Sequence, residues 1–203
     1  RKRLDVDLYI LFIALTHRLV SYLSRSRTRL EYHWSELFRS LLTLTRFMAQ
    51  YSSDLSNLLN IGILLDSLTN VIALSLLSGE SFLPSPAAYD DLFYKLVECG
   101  ETLQKFSDNY KLGKKQGNSI NTLIGVSKHY HAMLKDGVEG TQVKNLTSAQ
   151  VAKVIREGYE TLELGSTAGL DGWERFREKD EKSYFKKMAR GVVEDVMVLV
   201  DNN

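Results

Sequence analysis

Apolar residues recur at three- and four-residue steps along most of this chain, and no segment shows the strict two-residue alternation of a half-buried strand. That pattern confines the chain to helices. Leu8, Leu11, Phe12, Leu15, Leu19 and Tyr22 make one such stripe; Trp34, Leu37, Phe38, Leu41, Leu42, Leu44 and Met48 make another. Each predicts an amphipathic helix with its stripe turned to the core. The polar, basic "SRSRTR" (24–29) connects them. A third helix is predicted over 54–78, with Asp54 as N-cap and Gly79 as its end. Its segment "IGILL" (61–65) is apolar on all sides, which marks the most central helix.

Both prolines of the chain, Pro84 and Pro86, stand within three positions of each other. Ser85 can cap a helix, Pro86 suits the first turn where no amide donor is needed, and Pro84 biases Leu83 to extended backbone. The spacing is Pro-x-Pro, not the Pro-x-x-Pro that docks in aromatic grooves, so the stretch reads as a rigid corner between helices. The helix that follows carries Tyr89, Leu92, Phe93, Leu96, Val97, Leu103 and Phe106 on one face. Asp90 and Asp91 lie near its positive end. "GKKQGNS" (113–119) is the next break, and a helix from about Ser119 to Leu134 succeeds it. "KDGVEGTQVKN" (135–145) reads as a loop. Thr147 and Gln150 then form a capping box, with Leu146 and Val151 as its staple, to start a sixth helix. "GSTAGLDGW" (165–173) is glycine-rich. A last helix carries Phe185, Met188, Ala189, Val192, Val193, Val196 and Leu199. The expectation is an all-α chain of about seven helices with no sheet, forming a bundle or a short solenoid over residues 1–203 as one domain.

Composition narrows the function. The apolar share is 44%, the charged share 25% and the net charge +1, which argues against a nucleic-acid binder with its strongly basic face. A single cysteine, Cys99, excludes an internal disulfide and suits a reducing compartment. Residues 4–23 and 55–77 are apolar enough to test as membrane spans. Asp5, Asp7, His17 and Arg18 interrupt the first, and Asn57, Asn60, Asp66 and Asn70 the second. Both are expected to be buried core helices. The chain starts Arg1-Lys2-Arg3 without methionine and reads as a piece of a longer protein.

The chemistry-bearing residues assemble into no recognisable constellation. His129 and His131 point to different sides of a helix and cannot chelate one metal, and His17 and His33 have no acidic or cysteine partner nearby in sequence. "GKKQGNS" lacks the phosphate-loop spacing and follows a helix. Ser183-x-x-Lys186 and Ser107-Asp108-Asn109 match two strings of the penicillin-binding serine enzymes, but in reversed chain order. Cys99 reads as a buried thiol. Asn145-Leu146-Thr147 is a glycosylation sequon whose threonine already serves as a cap. No catalytic, metal or cofactor-binding residue is assigned, and no cofactor is expected. An orphan hydrolase or transferase, the enzymatic alternative, would need a deep polar pocket holding His129 or Cys99. Arg25, Arg27 and Arg29, with Arg1, Lys2 and Arg3, form basic clusters at the two ends of the first helix. These are candidates for anionic lipid headgroups. Trp34 and Trp173 belong either to the core or to an interface.

Three blocks carry a resemblance: "YHWSELFRSLLTLTRFM" (32–48), "GESFLPSPAAYDDLFYKL" (79–96) and "LTSAQVAKVIREGYETLEL…GLDGWERFREKDEKSYFKKMARGVVEDV" (146–196). Together they resemble the C-terminal region of the armadillo-like helical domain-containing protein 3 family, and the details look like those of a distant, fungal member. The strings Phe-Leu-Pro-x-Pro-x-x-Tyr-Asp-x-Leu and Leu-Asp-x-x-Glu-Arg are the most specific; residues 97–145 match loosely, and the segment around Gly113 to Asn118 is shorter than expected. The resemblance implies an armadillo-like helical arrangement and a non-enzymatic scaffold, cytosolic and peripheral on Golgi membranes. It implies partners: phosphatidylinositol 4-kinase beta, an Arf-like small GTPase and the large Golgi Arf exchange factor. Candidate partner-binding residues are Tyr89, Asp90 and Tyr94 beside the proline corner, and Trp173, Arg175 and Phe176 near the chain end.

Overall fold

From Val71 to Leu76 six consecutive side chains are buried, so over this stretch one helix is enclosed on every side. It is α4 (Ile61–Phe82) of a computed structural model that describes residues 4–115, 118–136, 153–154, 157–158, 169–171 and 178–201. Its buried hydroxyls return to the helix's own backbone: Thr69 Oγ1 donates to Leu65 O (3.0 Å) and Ser75 Oγ to Val71 O (2.8 Å). A polar side chain in an apolar core is tolerated when its bond is satisfied locally.

The chain divides into two compact units, residues 1–171 and 172–203. In the first, α4 packs against α1 (Val6–Ser26), α2 (Trp34–Gln50), α5 (Pro86–Glu98) and α7 (Ile120–Asp136), and the short α3 (Ser52–Leu55) and α6 (Gly100–Tyr110) complete the unit. A 3-10 turn, Leu112–Lys114, links α6 to α7. The second contains α8 (Glu178–Asp201). No strand occurs among the described residues, and the fold is all-α as predicted.

Helices α1 and α4 run parallel. Asn60 Nδ2 donates to Asp7 Oδ1 (3.0 Å) at their starts, and Ser81 Oγ to Ser24 Oγ (3.3 Å) at their ends. The basic connector is anchored between them. Leu30 N donates to Phe82 O (3.3 Å), the indole Nε1 of Trp34 donates to Leu30 O (2.8 Å), and the Trp34 and Phe82 rings meet edge-on at 5.0 Å. Trp34 is therefore core. Helices α6 and α7 are antiparallel, with Gly100 against Ser127 at one end and Gly113 against Asn121 at the other.

The largest correction concerns α1. The helix buries Val6, Ile13, Val20 and Leu23, while the stripe expected in the core lies opposite, with Leu8, Leu11, Phe12, Leu15, Leu19 and Tyr22 all exposed. Helix α1 is apolar on two faces, and periodicity alone could not say which faced inward. Three boundaries also shift. The third predicted helix is two: Asp54 lies in α3, and α4 starts after Asn60, which takes the left-handed conformation (φ 62°). The helix after the proline corner breaks at Cys99 into α5 and α6. Gly79 sits inside the last turn of α4 rather than after it. The segments 137–152 and 159–168, with the predicted loop, capping box and sequon, lie outside the described residues.

Gly79 is required by packing. A Cβ there would come within 2.6 Å of two carbons of the buried Tyr89 ring. Gly79→Ala should therefore destabilise by about 1–2 kcal/mol, overpacking outweighing alanine's helix preference of about 1 kcal/mol. Gly125→Ala in α7 meets nothing within 4 Å and should stabilise by about 0.5–1 kcal/mol. Urea unfolding of the two variants should give opposite signs.

Candidate interaction site at the proline corner

The turn from α4 to α5 is set by three adjacent residues. Leu83 is extended (ψ 144°), as a residue before proline must be. Ser85 Oγ accepts from Ala88 N (3.3 Å), and Pro86 occupies the first turn of α5. This geometry returns Tyr89 against the end of α4, where its hydroxyl donates to Leu76 O (2.7 Å). The ring meets Phe93 edge-on at 4.9 Å, and Phe93 meets Tyr130 at 5.4 Å. An aromatic ladder thus ties the corner to α7.

Beside the corner lies a half-open cleft of about 310 Å³. Leu83, Pro86 and Tyr89 give it apolar walls; Arg29, Glu80 and Asp90, with Ser85, make it charged and polar. Arg29 reaches it from the connector, and its Nη2 lies 3.5 Å from Glu80 O. Burial, then the charge of Glu80, then Tyr130, raise the Tyr89 phenol far above its usual range. It stays protonated, as its bond to Leu76 requires. Burial and then the neighbouring Asp90 do the same to Tyr130. The cleft offers a place for an anchoring side chain, with charges of both signs to fix orientation.

The sequence-predicted residues divide accordingly. Tyr89 and Asp90 are buried and lie in the cleft walls rather than on the outer surface. Tyr94 is exposed, and a hydrogen bond to Glu98 is the main reason its phenol is raised above the ordinary value. Trp173, Arg175 and Phe176 lie outside the described residues. The three arginines do not act as one cluster. Arg25 Nε pairs with Asp171 Oδ2 at 2.7 Å, Arg27 is the left-handed C-cap of α1 (φ 50°), and Arg29 lines the cleft.

One arrangement escaped the sequence reading. His17, Ser21 and Arg25 recur every four residues on α1 and receive the segment Leu170–Asp171. The His17 ring lies 2.6 Å from Leu170 O, Ser21 donates to Asp171 O, and Arg25 closes the row. The four-residue spacing of polar groups beside an apolar stripe was its only signal.

Cys99 and His129 line neither this cleft nor a second, of about 470 Å³, bordered by Lys111, Lys114 and Lys128. Among the described residues no group of three metal-ligating side chains occurs. Cys99 is buried; desolvation raises its pKa, and Arg46, whose Nη2 is 3.7 Å from the sulfur, only partly offsets that. The native thiol should therefore resist a maleimide at pH 7.5 and label fully once the chain is unfolded in urea, read by mass spectrometry.

An enclosed helix ringed by others defines an all-α helical domain. The chain belongs to the family described as "Armadillo-like helical domain-containing protein 3, C-terminal", whose model matches residues 1–198. It is 28% identical over 207 residues to Armadillo-like helical domain-containing protein 3 of Homo sapiens, covering 96% of this chain and 30% of that protein. The Danio rerio protein of that name is also 28% identical, over 94% of this chain and 30% of its own length. A Schizosaccharomyces pombe protein named as a UPF0588 membrane protein is 24% identical, with coverage of 94% and 30%. The chain thus spans about 30% of the length of the curated relatives it matches. No solved structure matches it significantly. These family names describe helical domain proteins, not enzymes.

Proposed function

We propose that this chain is a non-catalytic protein-interaction domain of a peripheral Golgi scaffold. In this reading it docks an active Arf-like small GTPase and supports recruitment of phosphatidylinositol 4-kinase beta, alongside the large Golgi Arf exchange factor, in lipid signalling and secretory traffic. The observation that supports it is the cleft at the proline corner. Its walls come largely from the Phe-Leu-Pro-x-Pro-x-x-Tyr-Asp-x-Leu string, and it joins an apolar floor to a rim of Arg29 and Glu80. Interfaces concentrate binding energy where one anchor fills such a pocket and surrounding polar groups exclude water. Exposed Tyr94, four residues after Asp90, extends the same helix as a second contact.

A second reading has one specific support. Helices α1 and α4 are both long and apolar enough to cross a membrane by length and composition, and the fission yeast relative carries "membrane protein" in its name. Helix α4 is the enclosed core, so contact with anionic lipid would fall to the basic end of α1, through Arg27 and Arg29.

The test is a titration of the purified chain against Arf-like GTPases loaded with GTP or GDP, with the kinase in parallel. Arg29→Glu and Glu80→Lys change exposed positions and should leave the fold intact. Each should weaken GTP-selective binding about tenfold, equivalent to about 1.4 kcal/mol. Binding of neither protein, or binding indifferent to both substitutions, rejects the cleft. Flotation with phosphatidylserine vesicles that is lost in Arg27→Glu would favour the lipid reading instead.

A further inference from the structure

The second cleft, of about 470 Å³, collects three cations from consecutive parts of the chain. Lys111 is the C-cap of α6, Lys114 ends the 3-10 turn, and Lys128 lies in the middle of α7. Neighbouring cations are paired, Lys95 with Asp91 and Lys115 with Asp66. Among the described residues no ion pair engages the three cleft lysines. Asp108 lines the same cleft, but its Oδ1 accepts from Gln104 Nε2 (3.0 Å) instead. The negative end of α6 accounts for a cation at Lys111, not for Lys114 or Lys128. Like charges around one space repel, and an anion in that space relieves them together.

The frame of the cleft is pinned. Asp66 holds Lys115 and accepts from Asn118 Nδ2 (2.7 Å), and Asn121 Nδ2 donates to Gly113 O (2.9 Å). Gly113 has no left-handed backbone that would demand glycine. A Cβ there would nevertheless come within 3.1 Å of Asn121 Oδ1 and 3.3 Å of Ser107 Oγ. All three residues line the cleft, so glycine leaves two polar oxygens of the lining uncovered. We propose that this cleft binds a phosphorylated polyol, its phosphate groups on Lys111, Lys114 and Lys128 and its hydroxyls on Gln104, Asp108 and Asn121. Lysine is a point charge that meets phosphate from any direction, whereas a planar carboxylate is better matched by the fork of arginine. Amide and carboxylate side chains exchange hydrogen bonds with ring hydroxyls. Among the described residues lining the cleft there is no aromatic ring, and Ile124 is the one large apolar side chain. A nucleotide base would therefore find nothing to stack on. The string "GKKQGNS" is thus no phosphate loop of its own; it lends Lys114 to a site that α6 and α7 complete. The same chemistry occurs in a free sugar or inositol phosphate and in a lipid headgroup. None of these residues belongs to the cleft at the proline corner.

The test is isothermal titration calorimetry of the whole 203-residue chain with inositol trisphosphate. One site is expected, with affinity that falls as salt rises. Lys111→Gln, Lys114→Gln and Lys128→Gln should each weaken binding about fivefold, and the triple variant about a hundredfold. Gly113→Ala, which changes no charge, should weaken it about fivefold by filling the floor. Lys105→Gln removes an exposed charge of α6 that does not line the cleft and should change nothing. Melting followed by circular dichroism should be unmoved in the lysine variants, since these side chains are exposed. Flotation with phosphatidylcholine vesicles only when they carry phosphatidylinositol bisphosphate, reversed by free trisphosphate, supports the site with a lipid headgroup as its source. Binding of free trisphosphate without flotation supports it with a soluble ligand. No binding at ~1 mM, the weak end of specific recognition, overturns the proposal. So does ATP bound as tightly as the trisphosphate, a loss in Lys105→Gln equal to that in the cleft lysines, or indifference to Gly113→Ala. GTPase binding at the proline corner can fail while this site survives, and the reverse.

Discussion

The structure depends on α4 being enclosed. A helix buried on all faces has no solvent side, so every neighbour must bring an apolar face to it, and its own polar groups must bond within the helix. Thr69 and Ser75 meet the second demand through carbonyls three to four residues back. Helices α1, α2, α5 and α7 meet the first. Such a helix also transmits position. Phe82 at its end fixes Trp34, and Gly79 and Leu76 fix Tyr89, so both the start of α2 and the corner before α5 take their place from α4.

The corner shows how local chemistry and packing agree. Proline, serine and proline in succession dictate an extended residue, a cap and a first turn, whatever surrounds them. The resulting angle of α5 is useful only because Gly79 lets the Tyr89 ring approach α4 closely. The cleft is what remains outside that contact. Tyr89 presents a ring edge there while its hydroxyl is held by Leu76, which makes it a rigid wall rather than a mobile contact.

Much of this was legible in sequence, for reasons that differ by element. The proline corner and its cap were, because they depend on residues adjacent in the chain. The centrality of α4 was, although the enclosed stretch is Val71–Leu76 and not the IGILL run (61–65) that suggested it, where Ile63 is exposed. The break at Cys99 was not. Gly100 directly after Cys99 was its only local sign, and the break lets both α5 and α6 pack on α2 and α7. Tyr89 reads both as part of the apolar face of α5 and, with Asp90, as a candidate contact beside the corner; both prove buried in the cleft wall, and Gly79 is what lets the Tyr89 ring in. The row of His17, Ser21 and Arg25 depends on a segment some 150 residues away and was beyond local reading.

Helix α1 shows where periodicity ends as a guide. It carries two apolar faces of different chemistry. The inner one has the β-branched Val6, Ile13 and Val20, which lose little further freedom on burial, with Thr16 and Ser21 bonded back to the helix. The outer one has leucines and aromatics, longer and more adaptable. Bulkier apolar side chains weigh more heavily in a periodic pattern, so the outer face dominates it and reads as the core. A helix with one apolar face needs one neighbour, and α4 fills that role for α1. A second apolar face calls for a second neighbour, and apolar side chains left in water cost about 25 cal/mol for each Å² that a neighbour would cover.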